Sequence, residues 1–180
     1  MAFVYDRTIR FQETDAAGVV YFSNVLVLCH EAYEASLAAA GIDLKAFFSP
    51  TGQQKPEVGL GTQAGPRDGV AVPIVHAEVD FFKPLFCGDA IAITLTPRQL
   101  EPNSFEIGYD LTPMATVLDE GAQSESVPVV KPVVKLGAKP GAKPVAKALT
   151  RHVCINVAAR RRHPLTAELL DWLANLTESE

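Results

Sequence analysis

Apolar and polar positions alternate along the first ten or so residues of the chain. One face of this segment carries Phe3, Tyr5, Arg7, Ile9 and Phe11, and the other carries Val4, Asp6, Thr8 and Arg10. A period of two residues is typical of a half-buried β-strand. The sequence therefore predicts that the chain begins with a strand.

A long helix is predicted after the turn-like segment at residues 13–18. Ser23 is a candidate N-cap, and Gly41 is a candidate stop signal. The apolar positions recur at helical spacing: Val25, Cys29, Ala32, Tyr33, Leu37 and Ala40. Alanine is frequent and β-branched residues are few, so helix propensity agrees with the periodicity. We expect a helix of about five turns.

Strand-like segments resume after a loop at residues 48–69 that is rich in glycine, proline and glutamine. They span residues 70–82, 89–96, 104–111 and 149–157, and short connections between the first three favour antiparallel pairing. The predicted apolar rows are Val75, Ala77, Val79 and Phe81; Ile91, Ile93 and Leu95; Phe105, Ile107, Tyr109 and Leu111; and Val153, Ile155 and Val157. Residues 164–176 have the spacing of a second, amphipathic helix.

This order of elements predicts an α+β fold in which an antiparallel sheet curls around one long helix. A single sheet with one such helix leaves edge strands unpaired. Pairing of an edge with a second copy of the chain would cover them. We therefore expect a homodimer or homotetramer.

A low-complexity tract interrupts the pattern at residues 121–148. Lysine recurs at every fourth position from Lys131 to Lys147, and prolines stand at 128, 132, 140 and 144. Proline disfavours both a helix and a central strand, and the regular lysines repel one another. We expect an extended or disordered insertion between two strands. A basic tether for an acidic partner is the functional alternative.

The length of 180 residues indicates a single domain carrying this insertion. No apolar run is long enough to span a bilayer and no secretion signal is evident, so we expect a cytoplasmic protein without membrane insertion. The net charge is −5, and eleven basic against twenty acidic residues lie outside the tract, a net charge of −9 there. This acidity argues against nucleic-acid binding.

The three cysteines, Cys29, Cys87 and Cys154, have neither the number nor the spacing of a disulfide framework or a metal site. We interpret them as small buried apolar residues.

The chemically most informative segment runs from residue 11 to residue 24, where a strand turns into the N-terminus of the long helix. Unpaired N–H groups and the helix dipole favour negative charge there. Asp15 is a candidate base or nucleophile, and N–H groups near Phe22 are candidate oxyanion donors for acyl transfer. Alternatively, Asp15 only closes a turn with its own side chain and Gly18 supplies a permissive backbone.

Residues 14–22, with the sequence TDAAGVVYF, resemble the signature of hotdog-fold acyl-CoA thioesterases of the 4-hydroxybenzoyl-CoA thioesterase group. Four further segments are similar to one set of that group, the cyanobacterial 1,4-dihydroxy-2-naphthoyl-CoA hydrolases: CHEAYE at 29–34, VHAEVDFF at 75–82, CGD at 87–89 and HVCI at 152–155. The resemblance covers roughly residues 3–45, 72–112 and 149–170 and leaves out the lysine–proline tract.

The resemblance implies a hotdog fold and release of the free naphthoate from its CoA thioester during phylloquinone synthesis. It places Asp15 as the catalytic carboxylate, as base or nucleophile, and the backbone N–H at Phe22 as oxyanion donor, with no metal or cofactor. It also implies that His30 reaches a ring hydroxyl across a dimer interface, although a half-buried structural histidine is the simpler alternative. Glu31 and Glu34 are interpreted as surface or interface charges.

Arg160, Arg161 and Arg162 form a basic cluster after the last predicted strand. Guanidinium groups bind phosphate oxygens in fixed geometry, so the cluster suits the phosphates of coenzyme A. A solvated cluster at a strand end is an equally good interpretation.

Three alternatives stay open at this point. His76, Glu78 and Asp80 share one face of a predicted strand and could bind a metal, although the polar outer face of a sheet explains them as well. A broader aryl- or acyl-CoA thioesterase is the alternative within enzymes. A hotdog module that binds acyl-CoA without catalysis is the alternative from another class.

Overall fold

The computed structural model describes residues 2–49, 69–116, 135–138 and 142–177. The strands are β1 (Phe3–Thr8), β2 (Val70–Ala71), β3 (Ile74–Phe81), β4 (Ala90–Glu101), β5 (Ser104–Thr116), β6 (Lys135–Ala138), β7 (Ala146–Val153), β8 (Ile155–Asn156) and β9 (Arg161–Arg162). The helices are α1 (Phe22–Ala39), α2 (Leu44–Phe47) and α3 (Ala167–Thr177), and a short 3-10 helix spans Phe11–Glu13.

The main sheet has the strand order β1-β4-β5-β7-β3, and β6 pairs with the end of β5 beyond the start of β7. Every pairing in it is antiparallel. Helix α1 packs against β1, β3, β4 and β7. This is the α+β hotdog architecture, an antiparallel sheet around one long helix, that the order of elements and the resemblance predict.

Helix α1 begins two residues earlier than the sequence predicts. Tyr21 is the N-cap residue and Phe22 is already helical, so Ser23 lies inside the first turn. The helix ends as predicted, because Gly41 has a φ of 81°, a left-handed conformation that glycine adopts without steric cost. The buried face comprises Val25, Leu28, Cys29, Ala32, Tyr33, Ser36 and Leu37. Ala40, predicted to belong to this face, is exposed.

Helix α3 closes the core at the C-terminal end of α1. The ring of Trp172 packs edge-on against Tyr33 with centroids 5.6 Å apart, and its Nε1 donates to Ser36 Oγ at 3.3 Å. Leu169, Trp172 and Leu173 are buried. Burial of side chains of this size stabilises the fold by about 2 kcal/mol each. The predicted amphipathic helix is therefore confirmed and belongs to the main core.

Strand β7 corrects the predicted apolar row. Its buried positions are Ala146, Ala148, Thr150 and His152. The predicted row of Val153, Ile155 and Val157 lies in the opposite phase and is half-buried or exposed. A shift of one residue moves every side chain of a strand to the other face. The inward face of β7 therefore includes a threonine and a histidine.

The lysine–proline tract is not entirely an insertion outside the sheet, and its predicted boundaries need correction. Residues 135–138 form β6, and β7 already begins at Ala146, inside the predicted 121–148 range. Val145 is buried, and its N–H donates to the carbonyl of Leu111 at 2.8 Å. The sheet thus resumes directly after Pro144, while residues 117–134 and 139–141 lie outside the described residues.

The predicted strand at residues 70–82 is divided into β2 and β3, with a β-bulge between Ile74 and His76. The register pairs Ala77 with Thr150 and Ile74 with His152. The predicted apolar face is correct from Ala77 onward, because these residues pair with inward-facing residues of β7. Strand β3 is an edge strand of the sheet, and all of its residues except Val79 are exposed.

Cys29 and Cys154 are buried, as expected, whereas Cys87 is exposed, which corrects the prediction for that residue. All three are free thiols. Burial raises the pKa of Cys29 to about 12.

Among the residues that the structure describes, no helix has the length and apolar character needed to cross a bilayer.

Candidate active site

The segment between the 3-10 helix and α1 is held by hydrogen bonds that converge on Glu13. The carbonyl oxygen of Glu13 accepts from the backbone N–H of Tyr21 at 3.0 Å and from Asn24 Nδ2 at 2.8 Å. Inside this closure, Thr14 and Val20 form an isolated β-bridge. The segment is therefore a closed loop whose two ends meet just before the first turn of α1. We call it the Asp15 loop, residues 14–20.

Asp15 lies in the turn at the tip of this loop and is exposed. Its Oδ1 accepts from the backbone N–H of Ala17 at 2.8 Å and of Val19 at 3.3 Å. Gly18 completes the turn with a φ of 79°. Asp15 thus closes a turn, as the simpler interpretation holds. Its Oδ2 makes no hydrogen bond to the described residues, so the carboxylate is oriented and also available to a ligand.

The backbone N–H of Phe22 lies at the first position of α1. Groups of the first helical turn have no intrahelical partner, and no carbonyl in the described chain accepts from Phe22 N. The macrodipole adds partial positive charge at this end of the helix. The site therefore offers an oriented carboxylate within the Asp15 loop and an unpaired N–H donor at the first residue of the helix that follows it. These are the elements needed to attack a carbonyl and stabilise its oxyanion.

Arg7 connects the loop to β1 and α1. The guanidinium group is buried, makes an ion pair with Glu13, and donates through Nε to Glu31 Oε2 at 2.8 Å. Glu13 Oε2 also accepts from the N–H of Arg10 at 2.6 Å. The hydrogen bond with Glu31 raises the pKa of Arg7. Glu31 is therefore a partner of a buried arginine rather than only a surface charge.

His30 is half-buried, with its Nε2 3.5 Å from Glu34 Oε1 on the next turn of the helix. It lines a pocket of about 310 Å³ between α1 and the sheet. Apolar walls come from α1 and β3, including Leu26, Val27 and Ile74. Asp15 and Phe22 of the same copy are not among the residues that line this pocket.

Thr150 and His152 form a buried polar pair in the same pocket, which the sequence interpretation missed. Thr150 Oγ1 lies 2.9 Å from His152 Nε2 and 3.2 Å from Tyr109 OH. The His152 ring stacks on Phe105, with centroids 4.7 Å apart and planes inclined by 2°. Burial lowers the pKa of His152 to about 4, although the backbone of Val72 opposes part of this shift. The histidine is therefore neutral at physiological pH.

Arg160, Arg161 and Arg162 are exposed and lie at and after the turn between β8 and β9. Arg160 has a φ of 51°, and Arg162 Nη1 donates to Glu101 Oε2 at 3.0 Å. Glu101 ends β4, whereas the Asp15 loop contacts the segment before Ala90, where β4 begins. Twelve strand residues span roughly 35 Å. Within one copy, the arginine cluster and Asp15 therefore lie at opposite ends of β4.

The proposed metal ligands on β3 do not converge. His76 Nε2 lies 3.4 Å from Glu78 Oε2, and both side chains are exposed. Within residues 2–49, 69–116 and 142–177, no group of three or more His, Cys, Asp or Glu side chains is placed to hold a metal ion. The polar outer face of the sheet accounts for this row.

Known proteins resemble this chain in both sequence and fold. The model of the thioesterase-like superfamily matches residues 9–173. The 1,4-dihydroxy-2-naphthoyl-CoA hydrolase of Rippkaea orientalis is 45% identical over 177 residues, which are 98% of each chain. The enzyme of the same name from Nostoc punctiforme is 42% identical over 96% of this chain and 87% of its own.

A solved structure of a 1,4-dihydroxy-2-naphthoyl-CoA thioesterase from Synechocystis superposes with a TM-score of 0.69 and 28% sequence identity. The match covers 99% of this chain and 100% of that one. The fold and these relatives define a hotdog protein of the thioester hydrolase class. The chain belongs to the thioesterase-like superfamily.

Proposed function

We propose that this protein hydrolyses 1,4-dihydroxy-2-naphthoyl-CoA to the free naphthoate and CoA, as a step of phylloquinone biosynthesis in the cytoplasm. The observation that carries the proposal is the closed loop that orients the Asp15 carboxylate and leads directly into the unpaired N-terminus of α1. The names of the relatives from Rippkaea and Nostoc supply the substrate.

The reaction follows from two groups, the Asp15 carboxylate and the backbone N–H of Phe22. The Phe22 N–H donates to the thioester oxygen as negative charge develops on it, and the helix dipole adds to this stabilisation. Asp15 then acts in one of two ways. In the first, it attacks the carbonyl carbon and the CoA thiolate leaves as the anhydride forms, and water then hydrolyses the anhydride to the free acid and the Asp15 carboxylate. In the second, it removes a proton from the attacking water, and the CoA thiolate leaves when the tetrahedral intermediate collapses to the free acid.

A homo-oligomer with a shared site is part of the proposal. Phe22 and His30 are eight residues apart on α1, or about 12 Å along its axis, so one acyl ring does not readily reach both within a copy. The unpaired edge strand β3 also exposes large apolar side chains, including Ile74, Val75 and Phe81. A second copy would cover this edge and bring its Asp15 loop to the pocket beside His30.

The arginine cluster at residues 160–162 is proposed to bind the phosphates of CoA. Its distance from Asp15 in the same copy favours an arrangement in which the thioester meets Asp15 of another copy. Arg160 and Arg161 are the better candidates, because Arg162 already pairs with Glu101.

The direct test is the variant Asp15→Asn, assayed by thiol release from the naphthoyl-CoA ester. An asparagine oxygen still accepts from Ala17 and Val19, so the loop is preserved, and kcat should fall by about 10²–10⁴-fold. Asp43→Asn is a matched control, because Asp43 also accepts from two backbone N–H groups, at the start of α2. A near-native kcat for Asp15→Asn would contradict the proposal. Tight acyl-CoA binding by wild type without thiol release would favour the non-catalytic module.

A further inference from the structure

The pocket between α1 and the sheet has an open apolar mouth and a buried polar floor, which is formed by Thr150 and His152. Val27, Ile74 and Ala77 at its mouth are exposed, and Leu26 extends the apolar wall. Its volume of about 310 Å³ is at the lower end of the range for small-molecule sites. An apolar mouth of this size suits a flat ring system better than a charged group.

The floor of the pocket has an unused hydrogen-bonding position. A threonine hydroxyl has one donor and two acceptor positions, and the Thr150 hydroxyl contacts only Tyr109 OH and His152 Nε2. One acceptor or donor position therefore remains. Thr150 is 4% exposed and His152 is 1% exposed, so bulk water does not readily satisfy the group.

A further polar atom of the pocket residues is also unpaired. Tyr33 OH is buried and has no hydrogen-bond partner among the described residues, and Tyr33 lines this pocket. Buried polar groups without partners are rare and costly in folded proteins. Its place in the same pocket as the open position on Thr150 indicates a place where a ligand supplies polar atoms.

The register between β3 and β7 places the polar floor of the pocket beside its apolar mouth. Ala77 pairs with Thr150 and Ile74 pairs with His152, so these two apolar residues of β3 each lie beside a polar residue of β7. The stacking of His152 on Phe105 sets the plane of the imidazole. The polar floor is thus built on paired strands rather than on a mobile loop.

We propose that this pocket receives the ring of the acyl group and that the Thr150–His152 pair binds a ring hydroxyl. The inference rests on the proposed thioesterase function and names Thr150 and His152 as the residues that select hydroxylated aryl esters. A ring hydroxyl fills the open position on Thr150 Oγ1, while the ring lies between α1 and β3. A site built to bind a hydroxyl discriminates strongly against the analogue without one, because its polar groups are then left unpaired.

The test uses Thr150→Val, which keeps the shape of the side chain and removes its hydroxyl. We expect kcat/KM for 1,4-dihydroxy-2-naphthoyl-CoA to fall by about 10–100-fold, and kcat/KM for 2-naphthoyl-CoA to change by less than about 3-fold. Thr150→Ser retains a hydroxyl and should retain the preference. Thr112→Val is the matched control, since Thr112 donates to the backbone of Ala92 and does not line the pocket.

Equal losses on both esters for Thr150→Val, or loss of the preference in Thr150→Ser, would overturn the proposal. Calorimetry of the binding of two free acids, 1,4-dihydroxy-2-naphthoate and 2-naphthoate, tests the pocket assignment separately from the proposed hydrolysis. If wild type releases no thiol but binds the dihydroxy acid more tightly, and Thr150→Val abolishes that difference, the pocket assignment stands and the thioesterase function fails. Equal binding of the two acids by wild type would overturn the pocket assignment.

Discussion

Arg7 donates through Nε to Glu31 Oε2 at 2.8 Å, and this hydrogen bond joins the first strand of the sheet to the middle of α1. The same guanidinium group pairs with Glu13, the residue whose carbonyl closes the Asp15 loop. The Asp15 loop is therefore tied to β1 and α1 through one buried arginine.

Replacing Arg7 with methionine should destabilise the protein by about 3 kcal/mol, because it leaves the buried Glu13 carboxylate without its cation. Glu31→Gln should cost less than about 1 kcal/mol, since Glu31 is more than one-third exposed. Urea denaturation of the two variants measures the difference. Similar losses for both would show that the pair with Glu13 does not hold the loop.

Active-site sharing between copies can be tested by complementation. Asp15→Asn and His30→Ala should each have low activity on the dihydroxynaphthoyl ester when produced alone. Co-expression in equal amounts should restore about one quarter of the wild-type activity in a dimer, because half of the dimers are mixed and each has one intact shared site. Activity that stays at the mean of the two separate variants would place both residues in one copy.

The arginine cluster should affect substrate binding more than chemistry. Arg160→Ala combined with Arg161→Ala should raise KM for the CoA ester several-fold with little change in kcat, because phosphate contacts bind ground and transition states alike. The effect should shrink at high salt. It should be absent with an N-acetylcysteamine thioester, which lacks the nucleotide phosphates.

Lys147→Ala controls for the loss of surface charge, since Lys147 pairs with Asp110 on the sheet. An equal rise in KM for the CoA ester and the truncated ester would show that the arginine cluster supports the fold and does not bind the phosphates.

Stability should depend on pH through His152. Burial lowers the pKa of His152 to about 4, whereas an unfolded histidine titrates near about 6.5. Between these values the unfolded chain binds a proton that the folded chain does not, so the free energy of unfolding falls as pH drops. Between pH 7 and pH 4, wild type should lose roughly 3 kcal/mol more than His152→Gln. Parallel curves for the two proteins would contradict a neutral buried imidazole.

The elements with a clear period were predictable from the sequence. Strand β5 buries Phe105, Ile107, Tyr109 and Leu111, the row that its alternation predicts. Helix α1 ends before Gly41 for the predicted reason. The position of Asp15 followed from local signals too, because a turn and a helix start lie within a few residues of each other.

The polar floor of the pocket was not predicted, because the apolar residues near the end of β7 indicated the wrong face of the strand as the buried one. Val153 and Ile155 are the more hydrophobic set, yet the small residues Ala146 and Ala148 are the buried ones. The alternation of these alanines with Lys147 was the available signal, and the four-residue lysine repeat obscured it. Burial of Thr150 and His152 depends on pairing with β3 and β5, which local sequence does not encode.

The contacts of Arg7 could not be predicted from the sequence either. The residue belongs to the alternating face of β1, but its partners lie 6 and 24 positions away. Only the packing of α1 on the sheet brings Glu31 to the guanidinium group. Charged residues that pair through tertiary contacts leave no periodic signal in the chain.

Thiol release by the purified protein from 1,4-dihydroxy-2-naphthoyl-CoA, benzoyl-CoA and a linear acyl-CoA distinguishes the proposed hydrolysis from its alternatives. We expect the highest kcat/KM on the dihydroxynaphthoyl ester, by at least about 10-fold over the others, since only that ester offers a ring hydroxyl to the pocket. Comparable rates on all three esters would indicate the broader thioesterase. No thiol release from any of them would contradict the proposed hydrolysis itself.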